Sequence, residues 1–104
     1  MRNVSRSARP TSVEAMEAFV AWLEENDAGV TPHYKYSGRF QFGATCFGVV
    51  GSLTDIQTAF MDFALSDPGM GKALRETVKN QRRDSMGLDA IVYFPGVDLE
   101  PPRD

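Results

Sequence analysis

The sequence predicts a small α+β domain: a three-stranded sheet with three helices, in the order α-β-β-α-α-β. Three observations carry this expectation. Apolar residues recur at helical spacing from Val13 to Leu23 and again from Leu53 to Ala64. A glycine-punctuated apolar stretch, 39–50, follows a turn signal at Ser37-Gly38. A short, wholly apolar run at 90–94 stops at Pro95-Gly96. A hairpin followed by a helical crossover to a third strand places the helices on one face of the sheet.

Each element has a local cause. Thr11 and Glu14 form a capping box in front of a helix over 12–26, whose apolar stripe is Val13, Met16, Phe19, Val20 and Leu23. Asn26-Asp27-Ala28-Gly29 ends it, with Gly29 suited to a left-handed cap. Strands are expected over 30–36 and 39–50. A three-residue loop, Tyr36-Ser37-Gly38, would pair Tyr34 with Phe40 and Pro32 with Phe42. That register gathers Val30, Tyr34, Phe40, Phe42, Ala44 and Cys46 on one face, with His33 on the other. Pro32 cannot donate to a ladder, so the first strand belongs at an edge.

Ser52-Leu53-Thr54-Asp55 opens the second helix, with Thr54 and Gln57 as its capping box. Its stripe is Leu53, Ile56, Phe60, Phe63 and Ala64, with Met61 beside it. Asp67-Pro68 starts the third helix, Asp67 as cap and Pro68 at the first helical position. Its cations, Lys72, Arg75, Lys79, Arg82 and Arg83, are expected on one solvent face, and 84–89 as the loop into the last strand.

A chain of 104 residues is enough for one domain. Residues 1–10 read as a flexible basic tail, 11–97 as the domain and 98–104 as an extended C-terminal tail. The N-terminal ten residues lack the apolar segment of a secretory signal, and no run is long enough to span a membrane, so a cytoplasmic location is expected. Cys46 is the only cysteine and His33 the only histidine. A disulfide, a thiolate zinc cluster and a multi-histidine metal site are therefore all excluded within the chain. No catalytic residue, metal or cofactor is expected, and Gly43, Gly48 and Gly51 do not fit a phosphate-binding fingerprint.

Charge is segregated although the net value is only -3. Glu14, Glu17, Glu24 and Glu25 make the first helix acidic, and the cations of 72–83 oppose them. The candidate binding residues are those five cations with Arg39, Asp84, Ser85 and Met86, and the acidic face is a second candidate surface.

Two pieces, Ser37-Gly38-Arg39-Phe40-Gln41-Phe42-Gly43 with Cys46-Phe47-Gly48-Val49-Val50, and Asp84-Ser85-Met86-Gly87-Leu88-Asp89-Ala90-Ile91-Val92-Tyr93-Phe94-Pro95, give a resemblance. The chain resembles small proteins encoded by tailed bacteriophages and prophages. The resemblance implies an accessory protein that binds a host protein, and it draws attention to Arg39 and to 84–87. The leading expectation is thus a non-enzymatic protein that inhibits or modulates a host or defence protein. Nucleic-acid binding through the basic third helix, and small-molecule or nucleotide binding around Arg39, Tyr93 and 84–87, are the alternatives. An exposed strand edge would also allow a homodimer.

Overall fold

The computed structural model describes residues 10–37 and 45–101, apart from the Met86 side chain. Its elements are α1 (Ser12–Asn26), β1 (Thr31–Tyr36), β2 (Cys46–Gly51), α2 (Leu53–Ser66), α3 (Pro68–Val78), β3 (Arg82–Met86) and β4 (Asp89–Phe94). The strands form one four-stranded antiparallel sheet in the order β1-β2-β4-β3. The α+β class with three helices stands, and the three-stranded sheet is corrected to four strands. The additional strand is β3, where a helix end and a loop were expected. Helix α3 stops at Val78, and the chain then turns through Asn80 and Gln81 before it extends. Gly87 and Leu88 close a tight hairpin in which Met86 faces Asp89. Gly87 has φ +68 while Leu88 stays in the ordinary region, the pattern of a two-residue turn with glycine first.

The helix termini follow side-chain chemistry. Thr11 accepts from the Glu14 amide at 3.0 Å, and Glu14 accepts from the Thr11 amide at 2.8 Å, completing the capping box. Asp27, with φ 48, is the left-handed cap of α1, and Gly29, expected to be left-handed, is so as well with φ 76 but lies two residues beyond the cap. At α2 the cap is Ser52, which accepts from the Asp55 amide, and not Thr54. Asp67 caps α3 by accepting from the Met70 amide, with Pro68 in its first turn.

The hairpin register differs from expectation. Pro32 pairs with Val49 and Tyr36 with Cys46, so the connection runs from 37 to 45, and a bulge lies between His33 and Tyr36. The expected Phe40, Phe42 and Ala44 positions lie outside the described residues. The observed register pairs β1 with the most apolar part of the chain, which the short loop would have left without that neighbour. Because side chains alternate along a strand, the new register also changes which of them share a face. Val30 and Tyr34 lie on the helix side, with Phe47, Val49, Val92 and Phe94. Cys46 lies on the other side, with Tyr36, Ile91 and Tyr93.

The main core lies between the sheet and α1 and α2. Phe19 stacks on Phe60 at 4.9 Å and meets Phe63 edge-on at 5.3 Å, while Phe60 meets Phe94 edge-on. Each such side chain contributes about 1.5–3 kcal/mol of transfer free energy when fully buried. Val97 and Leu99, beyond β4, belong to the same core. The Val97 carbonyl accepts from the Phe47 amide at 2.9 Å, and Lys35 pairs with Asp98 and Glu100. These contacts hold the stretch after β4 near β1.

Helix α3 packs on α1 and α2. At Gly71 the approach to α2 is so close that a methyl group would sit 2.6 Å from the Ala64 Cα and 2.8 Å from its Cβ. Backbone must move to admit it. In an ordinary helix, glycine to alanine gains about 1 kcal/mol. Gly71→Ala is expected instead to destabilise the chain by about 1–3 kcal/mol, as overpacking does. Urea denaturation checks this, and an unchanged or raised midpoint would contradict the close approach.

Candidate functional site

The strand order determines which residues meet at the surface. Among the described residues β2 and β4 are interior strands, and β1 and β3 are the two edges. Helix α2 packs on β2 and β4, while the extensive packing of β3 is with β4 alone. A depression therefore opens between α2 and the edge strand. It measures about 410 Å³ and is lined by Leu53, Ile56, Gln57 and Phe60 from α2, Val92 from β4, and Gln81, Arg82 and Arg83. A second depression of about 210 Å³ lies between α2 and α3, lined by Phe60, Met61, Ala64, Gly71, Leu74, Arg75 and Val78. Phe60 borders both. Met61 and Leu65, one helical turn apart, are 66% and 80% exposed and extend the apolar surface outward. The result is a groove whose α2–α3 part is apolar, and whose α2–β3 part sets Leu53 and Phe60 beside Gln57, Gln81, Arg82 and Arg83. None of Arg75, Arg82 and Arg83 has a carboxylate partner among the described residues.

The expected binding residues are distributed unequally around this groove. Arg75, Arg82 and Arg83 border it. Lys72 lies elsewhere on α3, beside a depression with Pro10, Ser12 and Glu76. Lys79 is tied to Glu76 at 3.3 Å. The single basic face of a third helix is thus corrected: Arg82 and Arg83 are strand residues on opposite sides of the sheet. Arg83 is opposite Val92 on the helix side, and Arg82 is opposite Tyr93 on the side that no described helix covers, the helix-free side. Asp84 accepts a hydrogen bond from the Tyr36 hydroxyl. Ser85 is exposed on the edge. Met86 lies on β3, and Arg39 is outside the described residues. Glu14, Glu17, Glu24 and Glu25 are all exposed along α1. Glu17 and Glu24 border a shallow depression with Tyr34 and Leu99.

The groove's other wall was not legible as a site. Phe60 reads as a core residue, and the packing of α2 short of β3 leaves part of it at the surface, while Ile56 beneath it is fully buried. The available signal was an apolar stripe wider than one packed face requires, with Met61 beside it.

The helix-free face offers a different chemistry. His33 meets Tyr36 edge-on at 5.6 Å, and Tyr36 lies against Tyr93 at 4.8 Å. The pairing of His33 with Gly48 puts His33 on the same side as Cys46, correcting the expectation of opposite faces. They still make no nucleophile and base. Cys46 is 1% exposed, and burial pushes its thiol above the ordinary value of 9.0, opposed by a backbone hydrogen bond with Phe94. Tyr36 and Tyr93 are only 9% and 5% exposed, so their rings are not open platforms for stacking a base.

Among the described residues, no group of three or more His, Cys, Asp or Glu side chains is placed to hold a metal ion. No described helix is long and apolar enough to cross a membrane. Neither a protein-family model, nor a curated protein, nor a solved structure matches the chain.

Burial of Cys46 gives a pH expectation. The folded chain holds the thiol proton more tightly than the unfolded chain does. Its contribution to stability is therefore full below pH 9.0 and is lost as pH rises through the folded value. Tyr34 adds a later loss, because burial and then Glu24 raise it from 10.0. Cys46→Ala should flatten the earlier part of the alkaline fall in chemical denaturation. Native Cys46 should also react slowly with a thiol reagent at pH 8 and rapidly once the chain is unfolded. Native reactivity equal to that of a free cysteine would contradict its burial.

Proposed function

We propose that this chain is a non-enzymatic protein-binding domain whose contact surface is the arginine-rimmed groove between α2, α3 and β3. One observation carries the reading: the depressions beside α2 are bordered by Arg75, Arg82 and Arg83, none with a carboxylate partner among the described residues, next to the edge strand β3, with Arg83 on the helix side of the sheet. Interfaces of this kind use apolar burial for affinity and charge for orientation and partner choice. Arginine suits the role, since its planar fork binds carboxylates in pairs and its stem packs on apolar surface. The resemblance to small phage and prophage proteins supports a host or defence protein as the partner, inhibited or modulated by occupation of its acidic surface. The acidic face of α1 would then repel that partner and help to fix how it docks.

Nucleic-acid binding is the weaker reading. The cations are divided between a helix and two sides of a strand, Lys79 is neutralised by Glu76, and Tyr36 and Tyr93 are buried. Few phosphates along one backbone would be matched.

The immobilised full chain, incubated with host lysate, should retain a stoichiometric protein partner. The double variant Arg82→Glu, Arg83→Glu should lose at least nine-tenths of it while keeping its unfolding midpoint. Retention that disappears with nuclease, or that survives the double reversal, would overturn the reading.

A further inference from the structure

The geometry points to strand addition: β3 takes a short, acidic, extended segment of the partner as a fifth strand, whose alternate apolar side chains enter the α2 groove. This inference rests on the protein-binding reading and gives the partner's chemistry. The first support is the ladder itself. Met86 and Asp89 flank a two-residue turn, and in an antiparallel hairpin that pair exchanges both of its hydrogen bonds. Alternation then directs the backbone groups of Met86, Asp84 and Arg82 toward β4. Those of Arg83 and Ser85 point away from the sheet. No described residue pairs with these two amides and two carbonyls, so the strip is open to a further strand.

The second support is what lies beside that strip. A strand added to β3 places every other side chain on the helix side, over the 410 Å³ depression formed by Ile56, Gln57, Phe60 and Val92. Main-chain pairing supplies affinity in such complexes, and pockets for alternate side chains supply selectivity. The third support is charge. Arg83 rims the depression on the helix side, Arg82 lies on the opposite side, and neither has a carboxylate partner among the described residues.

The same observations argue against two other occupants. A second copy paired antiparallel through β3 would set Asp84 opposite Asp84, or Arg83 opposite Arg83, in the registers centred on those residues, and like charges across a ladder destabilise it. The chain's own acidic stretch after β4 is held at the opposite edge, where Lys35 binds Asp98 at 3.2 Å and Glu100 at 3.1 Å. A partner segment with carboxylates and alternating apolar residues fits what remains.

The test uses the full chain and a displayed library of random seven-residue peptides selected at physiological salt. Enriched sequences should carry at least one carboxylate and apolar residues at alternate positions. The best peptide is then synthesised with a single backbone N-methyl group moved along it. Binding by fluorescence anisotropy should fall at least tenfold at alternate positions and hold at those between. Arg83→Glu in the protein should weaken binding at least tenfold, and Ser85→Pro, which removes an outward amide, should do the same. The N-methyl series needs no protein variant, so it stands even if Ser85→Pro misfolds.

Enrichment of basic peptides, no enrichment, or N-methyl effects without alternation would overturn strand addition. The lysate experiment distinguishes that failure from failure of the parent reading. A retained protein partner lost on reversal of Arg82 and Arg83, combined with a peptide insensitive to N-methylation, leaves protein binding in place and removes only the added strand.

Discussion

Two-sided burial of β2 and β4 is the constraint from which the rest of the architecture follows. Phe47, Val49, Val92 and Phe94 face the helices, while Cys46, Ile91 and Tyr93 face the other way, and all are 5% exposed or less. Strands buried on both faces belong in the interior of a sheet, because an edge would leave part of that surface in water. The polar strands must then take the edges. β1 carries Pro32 and Lys35, and β3 carries Arg82, Arg83 and Asp84. Prolines and charges are the usual means of keeping an open edge from pairing with itself. On β3 the two arginines also suit an acidic guest. The Tyr36 hydroxyl, reaching from one edge strand to Asp84 on the other, ties the two across the helix-free face.

Much of this was legible in the sequence wherever a side chain acts on its own backbone. The capping box at Thr11 and Glu14 and the Asp67-Pro68 start of α3 are short-range hydrogen-bonding facts, and they fixed those ends closely. Leu23 and Phe19 repeat at a period that only a helix explains. The run at 90–94 was recognisable as a buried strand. What failed depended on distant partners. Arg82 and Arg83 continue the cationic spacing of α3, so local pattern extended a helix through a turn. Only β4's need for a second neighbour, with a glycine at 87 to close the hairpin, reveals β3. The hairpin register failed for a similar reason, since pairing in the apolar half of β2 outweighs the compactness of a short loop.

The site shows the same division. Charge and exposure marked Arg75, Arg82, Arg83 and Ser85 in the sequence. The opposing wall at Phe60 is indistinguishable from core until α2 is seen to stop short of the sheet's edge. Cys46 and His33 illustrate the converse. Their shared face became clear only with the register, yet the burial of Cys46 was anticipated from its apolar neighbours and removes it as a nucleophile whichever way His33 points.

The central claim is that β3 is an edge strand bonded on one side only, with its outer backbone groups open. Residue-resolved amide hydrogen exchange on the dilute free chain addresses this most directly. The amides of Arg82 and Asp84 should be strongly protected, and those of Arg83 and Ser85 should exchange at rates near those of an unstructured chain. Equal protection of all four, or of none, would contradict the strand order on which both the groove and its guest depend.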